Sequence, residues 1–349
     1  MRVKASVLGH FGKNLNLLNG QTVKTKILTE ELENQLGKEQ VLRVDTHGGK
    51  KTLIKAPFQV IKCLMKSENV IILPAHNGLR IYVPLLNFFR KIFRKRKLHY
   101  VVIGGWLASF LEKRKSLKNK LKKFDGIYVE TNTMKQDLEA MGFNNIFVMP
   151  NCKKLTVLSE SELVYPVEEP YKLCTFSRVM REKGIEDAIN AVVAVNEQLG
   201  RQVFSLDIYG QVDGSQIEWF DNLKEQFPEY IRYGGLVAFD KSVEVLKDYF
   251  ALLFPTRFYT EGIPGTIIDA YAASIPVISA KWQSFADIVD DNVTGVGYEF
   301  LDVEKLIQTL LNIAKNPEII NEKKKACLKK AEEFSPEKAL KVILQRIIA

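Results

Sequence analysis

One pattern constrains the fold of this chain more than any other. Short apolar runs of strand length alternate with amphipathic stretches of helix length, and the alternation occurs twice. In the first half the strand-like runs are Val3–Leu8, Val41–Thr46, Val70–Pro74, Tyr100–Ile103, Ile127–Thr131 and Ile146–Met149, with helical stretches such as Thr25–Leu36 between them. In the second half they are Lys172–Phe176, Phe204–Tyr209, Ile231–Tyr233, Ala251–Pro255 and Pro276–Ser279. Strands apolar on both faces need helices on both, which is the signature of parallel sheets in an α/β fold. The two series are separated by Lys153–Pro170, which carries Pro166, Pro170 and several acids and has no helical period, so it reads as a linker. A chain of 349 residues is also longer than one ordinary core serves. The expectation is two doubly wound domains, at 1–160 and 166–335, with any ligand at the carboxyl ends of the strands, in the cleft between the domains.

Charge divides the chain as sharply as the linker does. Up to Tyr165 there are 29 Lys and Arg against 13 Asp and Glu, and beyond it 21 against 28. Two stretches dominate the basic half, Arg90–Lys97 (RKIFRKRK) and Glu112–Lys123 (EKRKSLKNKLKK). Such density suits a polyanion, either nucleic acid or the anionic face of a membrane, although a solvated helix face would also account for any single run. The four cysteines form no CxxC pair and the four histidines do not cluster with them, so neither a zinc site nor a disulfide framework is expected and a reducing cytoplasm fits. Met1 leads straight into a strand-like run, so no signal peptide is expected. No uncharged apolar run reaches the ~18 residues of a membrane span.

The second half carries the chemistry. After Lys172–Phe176 comes a loop with Arg178, Arg181 and Lys183, and then a helix beginning near Gly184. Cations are disfavoured at a helix N-terminus, whereas an anion belongs there, so a phosphate would complete the arrangement. Local neutralisation by Glu182, Glu186 and Asp187 is the alternative, and it weighs most on Arg181. The second stretch is Phe258–Ala280, FYTEGIPGTIIDAYAASIPVISA. Its glycines allow backbone amides to approach an anion. Thr266-x-x-Asp269 matches a capping box, which would explain Asp269 structurally. Glu261 has no such explanation. A phosphate against that helix start, with Glu261 accepting hydrogen bonds from hydroxyls, describes a nucleotide-sugar site.

These residues carry a family resemblance. SRxxxxKG, followed by EGxPxxxxDAxAxxxPVI, resembles retaining glycosyltransferases of family 4, which have the GT-B fold of two Rossmann-like domains facing a central cleft. The likeness is strongest over Phe176–Ala280 and includes LDIYGQ (Leu206–Gln211). It extends more weakly to Asn16–Thr25, which looks like a glycine-bearing loop, and to Val129–Asn151. Pro336–Ile348 is similar to the family's tail, which crosses back to the first domain, so residues of about 336–349 are expected to pack there.

The resemblance implies roles by position. Arg178 and Lys183 would bind the diphosphate and steady the leaving group, and Glu261 would hold donor-sugar hydroxyls; these three are the expected catalytic residues. Gly262, Ile263, Pro264, Gly265 and Thr266 would line the donor site, where backbone amides around Ile263–Thr266 would meet sugar and phosphate. Asp269 stands where the family usually has a glutamate for the ribose. Gly20 and Gln21 would close over the phosphates, and the nucleobase would sit near Gly210 and Leu236–Ala238. The histidine that many relatives carry after the fourth strand is replaced by Gly104-Gly105-Trp106, which leaves His76 and His10 as candidates on the acceptor side.

The family also implies transfer with retention and without a metal, in keeping with the absence of an Asp-x-Asp motif. No cofactor is expected, and a UDP-sugar is the expected donor. The acceptor would be a glycan or lipid-linked molecule, for bacterial capsule, exopolysaccharide or another surface glycan. The basic first domain would place the protein in the cytoplasm, peripherally on the inner membrane surface. No nucleic-acid recognition motif is present, and no GxGxxG follows a strand, which argues against a dehydrogenase. The alternative is a non-catalytic GT-B subunit that binds nucleotide or glycan without turnover.

Overall fold

The computed structural model describes residues 2–12, 20–48 and 54–348. Its backbone forms two units, Met1–Lys154 with Phe334–Ala349, and Leu155–Glu333. Each is built on a six-stranded sheet with every pair of neighbours parallel. All eleven expected strands are present, displaced by at most a few residues at their ends. A twelfth was not expected.

In the first unit the strands are β1 (Val3–Gly9), β2 (Val41–Asp45), β3 (Ser67–Ile72), β4 (Lys97–Val101), β5 (Gly126–Val129) and β6 (Ile146–Val148), in the spatial order 2-1-3-4-5-6. The chain therefore reverses direction across the sheet between β1 and β3. Right-handed crossovers then put the first helix on one face and the following ones on the other. Helices α2 (Ala56–Lys66), α3 (His76–Arg90), α4 (Leu107–Glu112), α5 (Lys115–Leu121) and α6 (Asn132–Ala140) share one core, which includes Val60, Leu64, Tyr82, Leu86, Leu111, Leu121 and Leu138. Helix α1 (Gly20–Leu36) shares the opposite core, through Leu28 and Leu32, with Leu340, Ile343 and Ile347 near the chain's C-terminus. The C-terminal stretch is two short helices, Pro336–Ala339 and Lys341–Ile348, rather than one. Arg346 lies over the Phe147 ring at 3.9 Å.

Two buried polar devices hold this sheet. Lys24 on α1 donates to Glu130 Oε1 at 2.6 Å and to Val102 O at 3.2 Å, with the pair only 2–3% exposed. His99 on β4 bridges Tyr128 and Asn69, with ring nitrogens 3.1 Å from each. Asn69 Nδ2 already donates to Lys4 O, so its Oδ1 faces the imidazole and takes the proton on Nε2. Nδ1 is then left to accept from the tyrosine hydroxyl.

In the second unit the strands are β7 (Tyr171–Phe176), β8 (Phe204–Tyr209), β9 (Ile231–Gly235), β10 (Ala251–Phe254), β11 (Val277–Ala280) and β12 (Gly295–Tyr298). Their order, 12-11-10-7-8-9, places the reversal between β7 and β10. The unexpected strand, Gly-Val-Gly-Tyr, has too little apolar pattern to be read as one. Its glycine is needed for contact, because a Cβ on Gly295 would lie 2.3 Å from Val277 O. Helices α7 (Ile185–Leu199) and α11 (Val303–Lys315) pack side by side in the core with Ile189, Val192, Leu306 and Leu310. The expected linker includes a single 3-10 turn, Glu160–Glu162, and Leu158 N donates to Ala272 O.

Burial lowers the His99 pKa from 6.5 to about 4. Between those values the unfolded chain binds the proton and the native one does not, so stability should rise with pH across that window, by up to about 3 kcal/mol. Urea denaturation at stepped pH measures this. His99→Phe should lose this contribution.

Candidate active site

The reversal between β7 and β10 is where a doubly wound sheet opens a crevice at its carboxyl edge. Three loops meet there, and two glycines permit their approach. Gly184, at φ 71°, ends the 3-10 turn Arg181–Lys183 after β7, and a Cβ on it would lie 1.9 Å from Pro255 O. Gly210, at φ 134°, follows β8, and its Cβ would lie 1.8 Å from Ser177 O. The loops after β7 and β8 then continue pairing beyond the sheet, with Val179 N donating to Gln211 O and Asp213 N to Val179 O. Arg257 N reaches across to Glu182 O.

This closeness decides which charges pair. Lys183 is bonded to Glu261, 78 residues away on the loop after β10, with both side chains about five-sixths buried. Thr256 also donates to the same Glu261 oxygen, at 3.2 Å. The Lys183 ammonium lies 5.7 Å from the Phe254 ring centre and 5.2 Å from that of Phe258, so aromatic faces flank it. Arg178 is half exposed and contacts Asp213 at 3.3 Å. Arg181 is the cation that the local acids claim, since it contacts Glu186 at 3.3 Å and lies 4.9 Å from the Trp219 ring. Asp187, in the first turn of α7, takes a bidentate bond from Arg257 instead. Thr256, Phe258 and Arg257 were not singled out in the sequence. Their signal, the TRF that follows β10, becomes visible only once Lys183 is known to lie beside it.

The glycine-rich loop runs into α10 (Gly265–Ala272). Gly262, Ile263 and Pro264 are buried, and Gly265 and Thr266 open the helix. One expectation is corrected here. The N-cap is Pro264, not Thr266, and no side chain caps the helix. Helix geometry begins two residues earlier than the capping box requires, which puts Thr266 inside the first turn. Its hydroxyl is buried without a hydrogen-bond partner. Asp269 is buried and accepts from Ser242 Oγ at 2.9 Å, so a tertiary contact takes the place of the expected cap. At the end of β9 lies Leu236, an exposed apolar side chain. Among the described residues no group of three or more His, Cys, Asp or Glu side chains is placed to hold a metal ion.

In the first unit, Gly20 and Gln21 are the first residues of α1, not of a loop, and Asn16–Asn19 lie outside the described residues. Gln21 Nε2 donates to Leu73 O at 2.9 Å, across the reversal between β1 and β3. His10 follows β1, with Nδ1 2.7 Å from Thr22 Oγ1 and Nε2 2.6 Å from His47 Nδ1. Burial and then His47 lower its pKa, against the opposing effect of Asp45. His76 is the first residue of α3 and stacks on Trp106 at 3.8 Å, in edge contact with Phe110. Burial, then Arg114, lower its pKa. Both imidazoles are thus biased toward the neutral form. His10 and His76 stand at neighbouring strand ends, each held by different partners.

Residues 170–316 match the family model described as glycosyl transferases group 1. That match lies wholly within the second unit. The fold of the whole chain is GT-B. The lipopolysaccharide outer core galactosyltransferase WaaB, in its apo form, aligns over 100% of this chain and 99% of its own, with TM-score 0.73 and 17% identity. Anabaena HepE in complex with UDP and glucose aligns over 99% of both chains, with TM-score 0.72 and 13% identity. S. aureus TarM, solved with UDP and alpha-GlcNAc-glycerol, aligns over 85% of this chain but only 59% of its own, with TM-score 0.68 and 16% identity. No curated protein matches the chain in sequence.

Two substitutions test this loop geometry. Gly184→Ala should destabilise it by at least about 2 kcal/mol, since it combines a left-handed backbone with collision against a carbonyl. Thr266→Val should leave stability unchanged or raise it, because the hydroxyl it removes has no partner. Loss of a true cap would instead cost about 1 kcal/mol. Thermal and urea unfolding read both.

Proposed function

We propose that the protein is a retaining, metal-independent glycosyltransferase that moves a sugar from a UDP-sugar to a glycan or lipid-linked acceptor in bacterial surface-polysaccharide synthesis. The observation that carries this reading is the Lys183–Glu261 pair at the reversal of the second sheet. Neither partner has a local structural reason to be there, and each offers what one end of a nucleotide-sugar needs. The ammonium meets diphosphate oxygens, helped by the half-exposed Arg178. The carboxylate accepts from sugar hydroxyls. The buried, unpartnered Thr266 hydroxyl and the amides of Gly262, Gly265 and Thr266 are further donors at the same edge.

In the reaction, the bond from the anomeric carbon to the β-phosphate oxygen breaks and a bond to the acceptor oxygen forms. The electron pair leaves with the diphosphate, and the acceptor's proton passes to that departing oxygen or to solvent. Charge builds on the leaving group, and Lys183 and Arg178 are the fixed cations that stabilise it, which is the work a metal ion performs in other sites. Lys183 is pre-oriented for this by Glu261 and by the aromatic rings beside it. Neutral His10 or His76 would face the acceptor. The UDP of HepE and TarM supports the donor class, and the basic first unit supports a place on the cytoplasmic face of the membrane. Among the described residues no helix is long and apolar enough to cross a membrane.

A second reading, a subunit that binds nucleotide without turnover, is favoured by one contact. Ser242 already engages the Asp269 carboxylate, which would otherwise be offered to the ribose.

A thermal-shift screen with UDP, GDP, ADP, dTDP and their sugars decides between these readings. UDP and a UDP-sugar should raise the midpoint. Lys183→Ala and Glu261→Ala should abolish the shift, and Glu261→Gln should abolish transfer while the fold remains intact. A shift without turnover of any sugar donor selects the second reading, and no shift with any nucleotide refutes both.

A further inference from the structure

Helices α2 and α3 cover one face of the first sheet, and their outward sides share an unusual composition. On α2 and just before it, the exposed residues are Ile54, Lys55, Phe58, Lys62, Met65 and Lys66. On α3 and the turn after it they include Arg80, Phe88, Lys91, Ile92 and Lys95. The set on α2 follows the three-to-four-residue spacing of a single helix face, and the second set runs from α3 into the turn after Arg90. Ile54 and Phe58 are each 77% exposed, Ile92 71%, Phe88 61% and Met65 57%. Scattered apolar side chains on a surface are ordinary, but five interleaved with lysines on two adjacent helices and the turns at their ends are not.

The two helices form one layer. Both run against the strand direction and so lie parallel, joined by Tyr82 Oη donating to Gln59 Oε1 at 2.7 Å and Arg96 Nε to Leu64 O at 2.8 Å. Helix α5 extends the layer, with Asn87 Nδ2 donating to Lys120 O and Arg90 bridging Lys123 O and Asp125. Residues 54–123, which span this layer, contain 17 Lys and Arg and only two acids.

We propose that this face of α2 and α3 is a bilayer-insertion surface, with Phe58, Met65, Phe88 and Ile92 entering the interface of an anionic membrane while the surrounding lysines and arginines meet lipid phosphates. This deepens the membrane aspect of the proposed function and rests on it. Charge complementarity names an anionic partner, and the apolar members select among anionic partners. Nucleic acid offers phosphates and stacked bases, but the aliphatic Ile54, Met65 and Ile92 cannot stack as aromatic side chains do. An anionic bilayer presents phosphates and hydrocarbon a few ångströms apart, which matches long cations whose stems lie beside exposed apolar groups.

Sedimentation with vesicles tests this, comparing phosphatidylcholine alone with phosphatidylcholine mixed with phosphatidylglycerol. The wild type should bind the mixed vesicles and not the neutral ones. Phe58→Ser with Phe88→Ser should weaken binding at least about tenfold, with some of the wild-type binding surviving high salt. All four native cysteines are buried, so Phe88→Cys or Ile92→Cys can be labelled alone with an environment-sensitive dye. That label should shift to the blue on mixed vesicles, whereas one at the exposed Gln226→Cys should not. Equal binding by the double variant, or no spectral shift at positions 88 and 92, overturns insertion and leaves electrostatic attachment. No binding of the wild type to mixed vesicles overturns the membrane reading as well, and tighter salt-sensitive binding to RNA than to vesicles does the same. The UDP shift is a separate readout: its presence without vesicle binding refutes only the membrane reading, and its absence refutes the transferase reading.

Discussion

The contact between Gly184 and the carbonyl of Pro255 sets the geometry of the second unit's functional edge. No side chain fits between them, since a Cβ on Gly184 would lie 1.9 Å from that oxygen. The turn bearing Lys183 is thereby brought against the end of β10, and the ammonium meets a carboxylate far along the chain. Gly210 acts in the same way at the end of the neighbouring strand, where it lets the loop after β8 press on Ser177 and carry Asp213 to Arg178. A parallel sheet supplies strand ends about 5 Å apart. Glycines at those ends turn that spacing into side-chain contact between loops that are distant in sequence.

The same contact explains the limits of the sequence reading. Sheet content was legible because buried parallel strands are written as continuous apolar runs, and eleven of the twelve strands among the described residues are written that way. Strand β12 escaped because its two glycines are selected by close packing and not by hydrophobicity. Lys183 and Glu261 could be marked individually, as a cation where an anion belongs and an acid without a capping role. Their pairing could not be read, because nothing local encodes a contact spanning 78 residues. Thr266 failed for the opposite reason. Its motif is a valid local signal, but Pro264 fixes the start of α10 and displaces the threonine into the first turn.

The division of charge has a structural counterpart. In the second unit the cations at the carboxyl edge are each matched with an acid: Arg178 with Asp213, Arg181 with Glu186, Lys183 with Glu261 and Arg257 with Asp187. Positive charge there is oriented within pairs. In residues 54–123 the cations outnumber acids by far and most of them are exposed. Self-repulsion of that kind destabilises a compact unit and is relieved when an anionic surface lies against it. The internal ion pair Lys24–Glu130, by contrast, is almost wholly buried and locks α1 to the strand ends. The two kinds of charge therefore do different physical work: one specifies packing, and the other is left available to a partner.

Within the proposed function, the Lys183–Glu261 pair is best understood as a counter-ion held in reserve. An ammonium five-sixths buried and flanked by two phenylalanine rings would be costly if left alone. Glu261 offsets that cost while the site is empty. When a diphosphate arrives, it can take over some of the role of counter-ion, which frees carboxylate lone pairs to accept from sugar hydroxyls. Donor binding then exchanges one ion pair for another and does not desolvate a free lysine, so the cation is already in place when charge builds on the leaving group. Asp269 stands apart from this exchange. Ser242 and the interior of α10 already hold it, so any contact it makes with a ribose must share a carboxylate that the fold is using. Glu261 responds to the ligand, and Asp269 belongs first to the scaffold, although the two acids lie only eight residues apart in one loop and helix.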